Sequence, residues 1–172
     1  RKNIVRLLEA FDLFKKESNS SIKLVIAGAV FWGKNEVNKP LNKMQFKNDV
    51  VLTGRASDND LRLLVASALC LTYVPYFEGF GVPLLEAMRS GIPIISANVT
   101  SMPEIADNAA LYVDPFKVEE IKNAMLKIVS DENLRGALIE KGKIQSQKFS
   151  WDKSAEQLWQ SIKNALSSNP SS

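Results

Sequence analysis

Two carboxylates, Glu78 and Glu86, lie in residues 76–91 (YFEGFGVPLLEAMRSG), separated by seven residues that are nearly all glycine or apolar. Gly79 and Gly81 lack a Cβ, so backbone N–H groups there can come close to a ligand. A helix is expected immediately afterwards, with Pro83 in its first turn and Gly91 at its stop. Its unpaired N–H groups and positive dipole end face back onto the glycine turn. Such a turn holds phosphate. Glu86 falls about one turn into that helix, among Leu84, Leu85, Ala87 and Met88. A carboxylate in those surroundings is costly unless it is exposed or meets hydrogen-bond donors. Sugar hydroxyls are such donors. Acids on both sides of a phosphate cradle suit a nucleotide-sugar, with ribose at one acid, the transferred sugar at the other and the diphosphate between them. The competing reading is a tight turn followed by a surface glutamate paired with Arg89 or Arg62. Spacing alone leaves the two readings open.

Absences narrow the chemistry. The 172 residues contain no His, so no Ser-His-Asp or Cys-His relay can operate within them. The lone cysteine, Cys70, excludes an intrachain disulfide and a CxxC zinc site. Lying in the run LCLTYV, it is expected to be a small core residue. The net charge of +3 is spread over interleaved basic and acidic residues. This pattern reads as a solvated surface with no nucleic-acid patch, and leaves room for a weak pull on anionic ligands or membrane surfaces. No apolar run approaches the ~20 residues that a spanning helix needs. With no Met at Arg1 and no signal peptide, the chain is expected to be a piece of a longer protein.

The elements that must position the acids follow from hydrophobic periodicity. Ile4, Leu7, Leu8, Phe11 and Phe14 predict a helix over residues 3–16, with Asn3 as its cap. Short apolar runs predict strands at 22–28, 49–54, 69–75, 92–98 and 109–115. Helices are expected near 35–45, at 57–68 and 81–91, and as a turn at 102–108. Three amphipathic helices follow, the last capped by Ser150, before a disordered tail at 167–172. Apolar strands alternating with helices predict an α/β domain over residues 1–166, its parallel sheet covered by helices on both faces. Ligands bind such folds outside the carboxyl ends of the strands.

At the two acids the chain resembles the E-x7-E signature of the retaining GT-B glycosyltransferases, family 4 (glycosyl transferases group 1). The segments RKN…LLEAF, LVIAG, VVLTGRASDNDL, TSMPEIADNAALYVDP and FSW resemble further landmarks of that family, in order. The resemblance implies a Rossmann-like, nucleotide-sugar-binding domain, the C-terminal half of a GT-B fold whose first strand is missing. It implies that Glu86 binds the ribose hydroxyls and that Glu78 positions the donor sugar. Backbone amides at Gly79, Phe80, Gly81 and Val82 would hold the diphosphate or sugar. Lys2 would face the diphosphate, Arg55 would border the base pocket, and Gly28 would lie at another strand end on the cleft.

The activity implied is retaining, metal-independent hexosyl transfer to a glycan, lipid-linked or other acceptor. The donor would be a nucleotide-diphosphate-sugar, and no cofactor would be needed. Stabilisation of the departing phosphate would fall to the helix start and Lys2. The acceptor-binding N-terminal domain and an Arg ahead of Lys2 are missing from the chain, so the isolated fragment is expected to be inactive. A cytoplasmic enzyme at the inner face of a membrane is the implied setting, with peripheral association and no nucleic-acid partner. The alternative is a non-catalytic nucleotide-sugar-binding or interaction module on the same scaffold. Tyr76 departs from the family's usual Ser or Thr and puts fine donor contacts in question. Asp58 and Asp60 form a D-x-D pattern, but at a helix start they read as capping and dipole residues rather than metal ligands. Phe31 and Trp32 could stack on a base, line the cleft or anchor a loop. Glu104 reads as cleft-facing or as a helix start, and Trp159 as a packing residue.

Overall fold

The computed structural model describes residues 2–28 and 34–167. Helix α1 (Ile4–Ser18) leads into β1 (Leu24–Ala27), α2 (Lys34–Lys43) and β2 (Val50–Gly54). Next come α3 (Asp58–Ser67), β3 (Leu71–Tyr73), α4 (Val82–Ser90), β4 (Ile94–Ala97), α5 (Met102–Ala106) and β5 (Ala110–Val113). Helices α6 (Val118–Ser130), α7 (Glu132–Ser146) and α8 (Trp151–Ser167) complete it. All pairings are parallel. Leu24 of β1 lies opposite Val50 of β2, Leu71 of β3 opposite Ile94 of β4, and Ile94 opposite Ala110 of β5.

The single sheet expected from the sequence is in two pieces, β1-β2 and β3-β4-β5. Among the described residues no ladder joins the two pieces. The larger piece carries the core. All four residues of β4 are buried, as its continuous apolar run predicts. Leu8, Leu84, Ile94, Ile95, Met102, Ile121 and Ile128 are fully buried, each removing about 1.5–3 kcal/mol of apolar exposure. Helix α1 packs on α6, and α4 on α7.

The expected stops and starts are in place at three helices. Gly91 ends α4 at φ 70, donating to the carbonyls of Ala87 and Met88. The Ser57 hydroxyl accepts the Asp60 N–H at 3.1 Å at the start of α3, where Asp58 and Asp60 occupy the first turn. At α8, Ser150 accepts the Lys153 N–H at 3.1 Å.

Other expectations fail. Asn3 precedes α1 in a left-handed conformation and makes no side-chain cap. Cys70, by contrast, does pack against the core, partly buried just ahead of the short β3, and burial pushes its thiol up. Helix α8 buries no residue, and Trp159 is 59% exposed, because among the described residues nothing packs over its apolar stripe.

Lys15 is a buried cation at the end of α1. Its Nζ pairs with Asp49 at 2.8 Å and donates to the Ser20 carbonyl and, at 3.1 Å, to that of Ile22. These contacts pin α1 to the segments that enter β1 and β2. Among the described residues no helix is long and apolar enough to cross a membrane.

Candidate functional site

The carboxyl end of β3 carries a polar cluster. Tyr73 is the last residue of the strand, and Glu78 follows after the turn begun by Val74 and Pro75. Lys2 reaches this point from the other end of the chain, just ahead of α1. Its Nζ meets the Glu78 carboxylate at 2.7 Å and also donates to the Tyr73 hydroxyl. The Tyr73 hydroxyl in turn donates to the same oxygen of Glu78 at 2.5 Å. The Lys2 ammonium also lies 4.8 Å from the centre of the Tyr73 ring, within cation–π range. Glu78 is mostly covered, with 18% of its side chain exposed against 44% for Lys2.

The backbone of Glu78 is held from a second loop. Its N–H faces the Thr100 hydroxyl at 3.4 Å, and its carbonyl accepts from the Ser101 hydroxyl at 3.0 Å. Thr100 stands at φ 53, an uncommon position for a β-branched residue. Behind Glu78 the turn closes on Gly81, at φ 101. A Cβ built there would lie 2.6 Å from Cε of Met102, so only glycine fits without displacing a buried side chain.

Helix α4 starts from this glycine with Val82 half-exposed and Phe80 packed edge-on to Phe149 at 5.9 Å. The N–H groups of Phe80, Gly81 and Val82 find no acceptor among the described residues. They remain available at the positive end of α4. Glu86 lies on the exposed side of α4 and has no hydrogen bond or ion pair among the described residues. Arg89 donates instead to the Phe149 carbonyl at 2.9 Å, so the surface pair considered for Glu86 with Arg89 is not formed.

Arg55 and Gly28 stand at the ends of the other sheet. Gly28 donates its N–H to the Gly54 carbonyl at 2.8 Å, closing the carboxyl ends of β1 and β2 on each other. Arg55 lines an open groove of about 420 Å³ with Thr53, Ala56, Asp60, Leu63, Leu64 and Ser67. No contact joins Arg55 or Gly28 to Lys2 or Glu78 among the described residues. Phe31 and Trp32 lie outside the described residues. Glu104 is exposed in the first turn of α5.

Residues missed by sequence reasoning complete the cluster. Tyr73 read only as a strand residue, and its signal was its place at a strand's last position, where the side chain can face the ligand edge. Thr100 and Ser101 open the landmark segment TSMPEIADNAALYVDP, but no role was read for either of them. Tyr76, noted as a departure, stacks on Phe116 with ring centres 4.9 Å apart and 13° between planes. The Arg6 guanidinium lies over both rings, at 5.4 Å and 5.7 Å, and donates to the Tyr76 hydroxyl.

The helix-flanked parallel strands are those of the GT-B fold. Residues 1–145 match the glycosyl transferases group 1 family, and the chain belongs to it. It is similar to the O-antigen chain mannosyltransferase B of Escherichia coli, 34% identical over 152 residues, covering 88% of this chain and 40% of that protein. It also resembles the MMP alpha-(1->4)-mannosyltransferase of Mycolicibacterium hassiacum, 29% identical over 164 residues, or 91% of this chain and 38% of that one. The chain thus spans about two-fifths of these relatives' length.

Among solved structures, Anabaena Alr3699/HepE in complex with UDP-glucose superposes with a TM-score of 0.82 at 18% identity, over 92% of this chain and 44% of that one. WaaG, a glycosyltransferase of lipopolysaccharide biosynthesis, gives 0.75 at 24% identity, over 87% and 40%.

Proposed function

We propose that this chain is the donor-binding part of a retaining glycosyltransferase that transfers mannose from a nucleoside-diphosphate donor to a glycan or lipid-linked acceptor. The observation that carries the reading is the convergence of Lys2, Tyr73 and Glu78 beside the unpaired N–H groups of Phe80, Gly81 and Val82. The free carboxylate of Glu86 stands on the same helix. The mannosyl choice comes from the names of the curated relatives.

Each group has a task. Glu86 accepts hydrogen bonds from the ribose hydroxyls. The N–H groups at the start of α4 hold the diphosphate, and Lys2 neutralises its charge. Glu78, steadied by Tyr73 and the Thr100–Ser101 loop, accepts from hydroxyls of the sugar. Arg55 and Gly28 border the base. As the bond to the anomeric carbon breaks, negative charge builds on the departing phosphate. Fixed N–H dipoles and an ammonium aimed at the phosphate stabilise that charge without reorganising. No protein imidazole is needed for this step, and transfer is expected to survive chelators.

The acceptor is held by the part of the protein outside these residues, on the cytoplasmic side of a membrane. The 172 residues alone therefore bind the donor and transfer nothing. Measurable mannosyl transfer by them would overturn that half of the reading.

The test is calorimetric titration of the chain with GDP-mannose and with UDP-glucose. One of the two should bind, and Glu86→Gln should weaken it by about 10–100-fold, the loss of charge-assisted hydrogen bonds. Equal affinity in the Glu86→Gln protein, or no binding of either sugar nucleotide, would sink the proposal.

A further inference from the structure

Lys2 precedes the first helix, and something must set where it points. The residue that follows it does an unexpected thing. Asn3 is 5% exposed, and its side-chain amide donates twice, to the Val74 carbonyl at 2.9 Å and to the Pro115 carbonyl at 2.7 Å. Val74 directly follows Tyr73, the residue that receives Lys2. Pro115 lies two residues beyond the end of β5. One amide therefore spans the exits of β3 and β5, on either side of β4, and fixes the entry of α1 to both.

The orientation of the amide is unambiguous, since exchanging its oxygen and nitrogen would set an acceptor against two carbonyls. Its Oδ1 is left buried without a partner. A side chain chosen for helix stability would turn toward the free N–H groups of α1, as Ser57 does at α3, and this one turns away. The backbone at Asn3 is left-handed, φ 60 and ψ 33, a conformation that Asn adopts more readily than other residues with a Cβ. That one residue swings Lys2 off the helix axis and onto the strand ends.

We infer that Asn3 is a positioning residue for Lys2: its buried amide locks the left-handed turn that places the Lys2 ammonium on Tyr73 and Glu78. The catalytic weight of this inference rests on the role proposed above for Lys2.

Two readouts separate the two claims. The first needs no ligand. In the 172-residue chain the Lys2 ε-methylene protons, close to the Tyr73 ring, should show ring-current-shifted NMR signals with cross-peaks to that ring. Asn3→Gly keeps the left-handed turn open to the backbone but removes the amide, and Asn3→Asp keeps the shape but replaces the double donor with an acceptor. Whichever variant folds should lose the Lys2 signature while the Phe11 and Phe14 core signals persist. An unchanged signature in either variant overturns the inference.

The second readout is GDP-mannose or UDP-glucose affinity, whichever binds. Asn3→Gly should weaken it by about fivefold to tenfold, and should cost nothing further in the Lys2→Ala background. Losses that add in the double variant mean that Asn3 acts through the fold alone, and also overturn it. If Lys2→Ala leaves affinity unchanged, the diphosphate role of Lys2 fails, and the NMR result alone decides what Asn3 does.

Discussion

The two sheets of this molecule are built to different standards. In β4 every residue is buried, whereas four of the five residues of β2 are exposed. Apolar side chains of the smaller sheet stay at the surface, with Val25 at 45%, Val51 at 40% and Leu52 at 38%. The polar cluster of Lys2, Tyr73 and Glu78 stands at the end of the well-packed sheet. Arg55 and Gly28 stand at the end of the thinly covered one. Under the proposed function, the groups that position the sugar and diphosphate stand where close packing resists displacement, and those that only border the base stand on the looser pair.

Truncation in the two sheets gives the largest separation. Ile95, fully buried in β4, should lose about 2–5 kcal/mol of stability as Ile95→Ala, because a cavity adds to the lost transfer energy. Leu52→Ala in β2 should cost less, about 1–2 kcal/mol, since more than a third of that residue already meets water. Urea midpoints at unchanged slope report both. Equal losses would mean that the smaller sheet is as tightly built as the larger, and the comparison would fall.

Glycines sharpen the contrast. Gly81 and Gly54 both have positive φ, at 101 and 65; Gly81 closes the turn from β3 into α4, and Gly54 is the last residue of β2, where the turn toward α3 begins. An added Cβ meets Met102 Cε at 2.6 Å in the first case and nothing within 4 Å in the second. Gly54→Ala should therefore cost only the left-handed penalty of about 1–2 kcal/mol. Gly81→Ala should cost about 1–3 kcal/mol more, because Met102 is fully buried and must move into a filled core. It should also reduce donor binding by disturbing the start of α4. Thermal unfolding and sugar-nucleotide titration of the two variants give the answer, and an equal cost at the two positions would remove Met102 from the account.

What was legible in the sequence follows the same divide. The order and type of the elements could be read because runs such as IPIISAN and the 3.6-residue spacing in α1 express burial directly. Pro83 and Gly91 marked the ends of α4 through their own backbone chemistry. The splitting of the sheet could not be read, since it depends on which strand edges meet across sequence distance. Glu86 drew attention because a carboxylate is costly among apolar neighbours, and the structure shows it exposed on α4. Tyr73 and Thr100 drew none, because a tyrosine in a strand and a threonine in a loop are ordinary until the fold brings Glu78 against both. Asn3 misled for a related reason: local rules made it a cap, and two carbonyls distant in sequence claimed its amide.

The smallest effect lies on the outer strand of the well-packed sheet. Tyr112 of β5, opposite Ser96 of β4, donates its hydroxyl to the Asp107 carbonyl at 2.7 Å. Burial first, and the Asp107 carboxylate second, push its phenol up from 10.0 to about 12. Lys148, 3.6 Å from that carboxylate, tempers the second cause. A raised folded-state value means that the neutral phenol is favoured in the fold. Its contribution is complete below pH ~10, where folded and unfolded chains both keep the proton, and is lost as pH climbs through about 12. Tyr112→Phe cannot ionise, so the stability difference between it and the parent should be flat from pH 7 to 9 and should then drift in favour of the variant. Denaturant unfolding at stepped alkaline pH measures that difference, and parallel curves to pH 11.5 would mean that this edge of the large sheet is as open to water as β2.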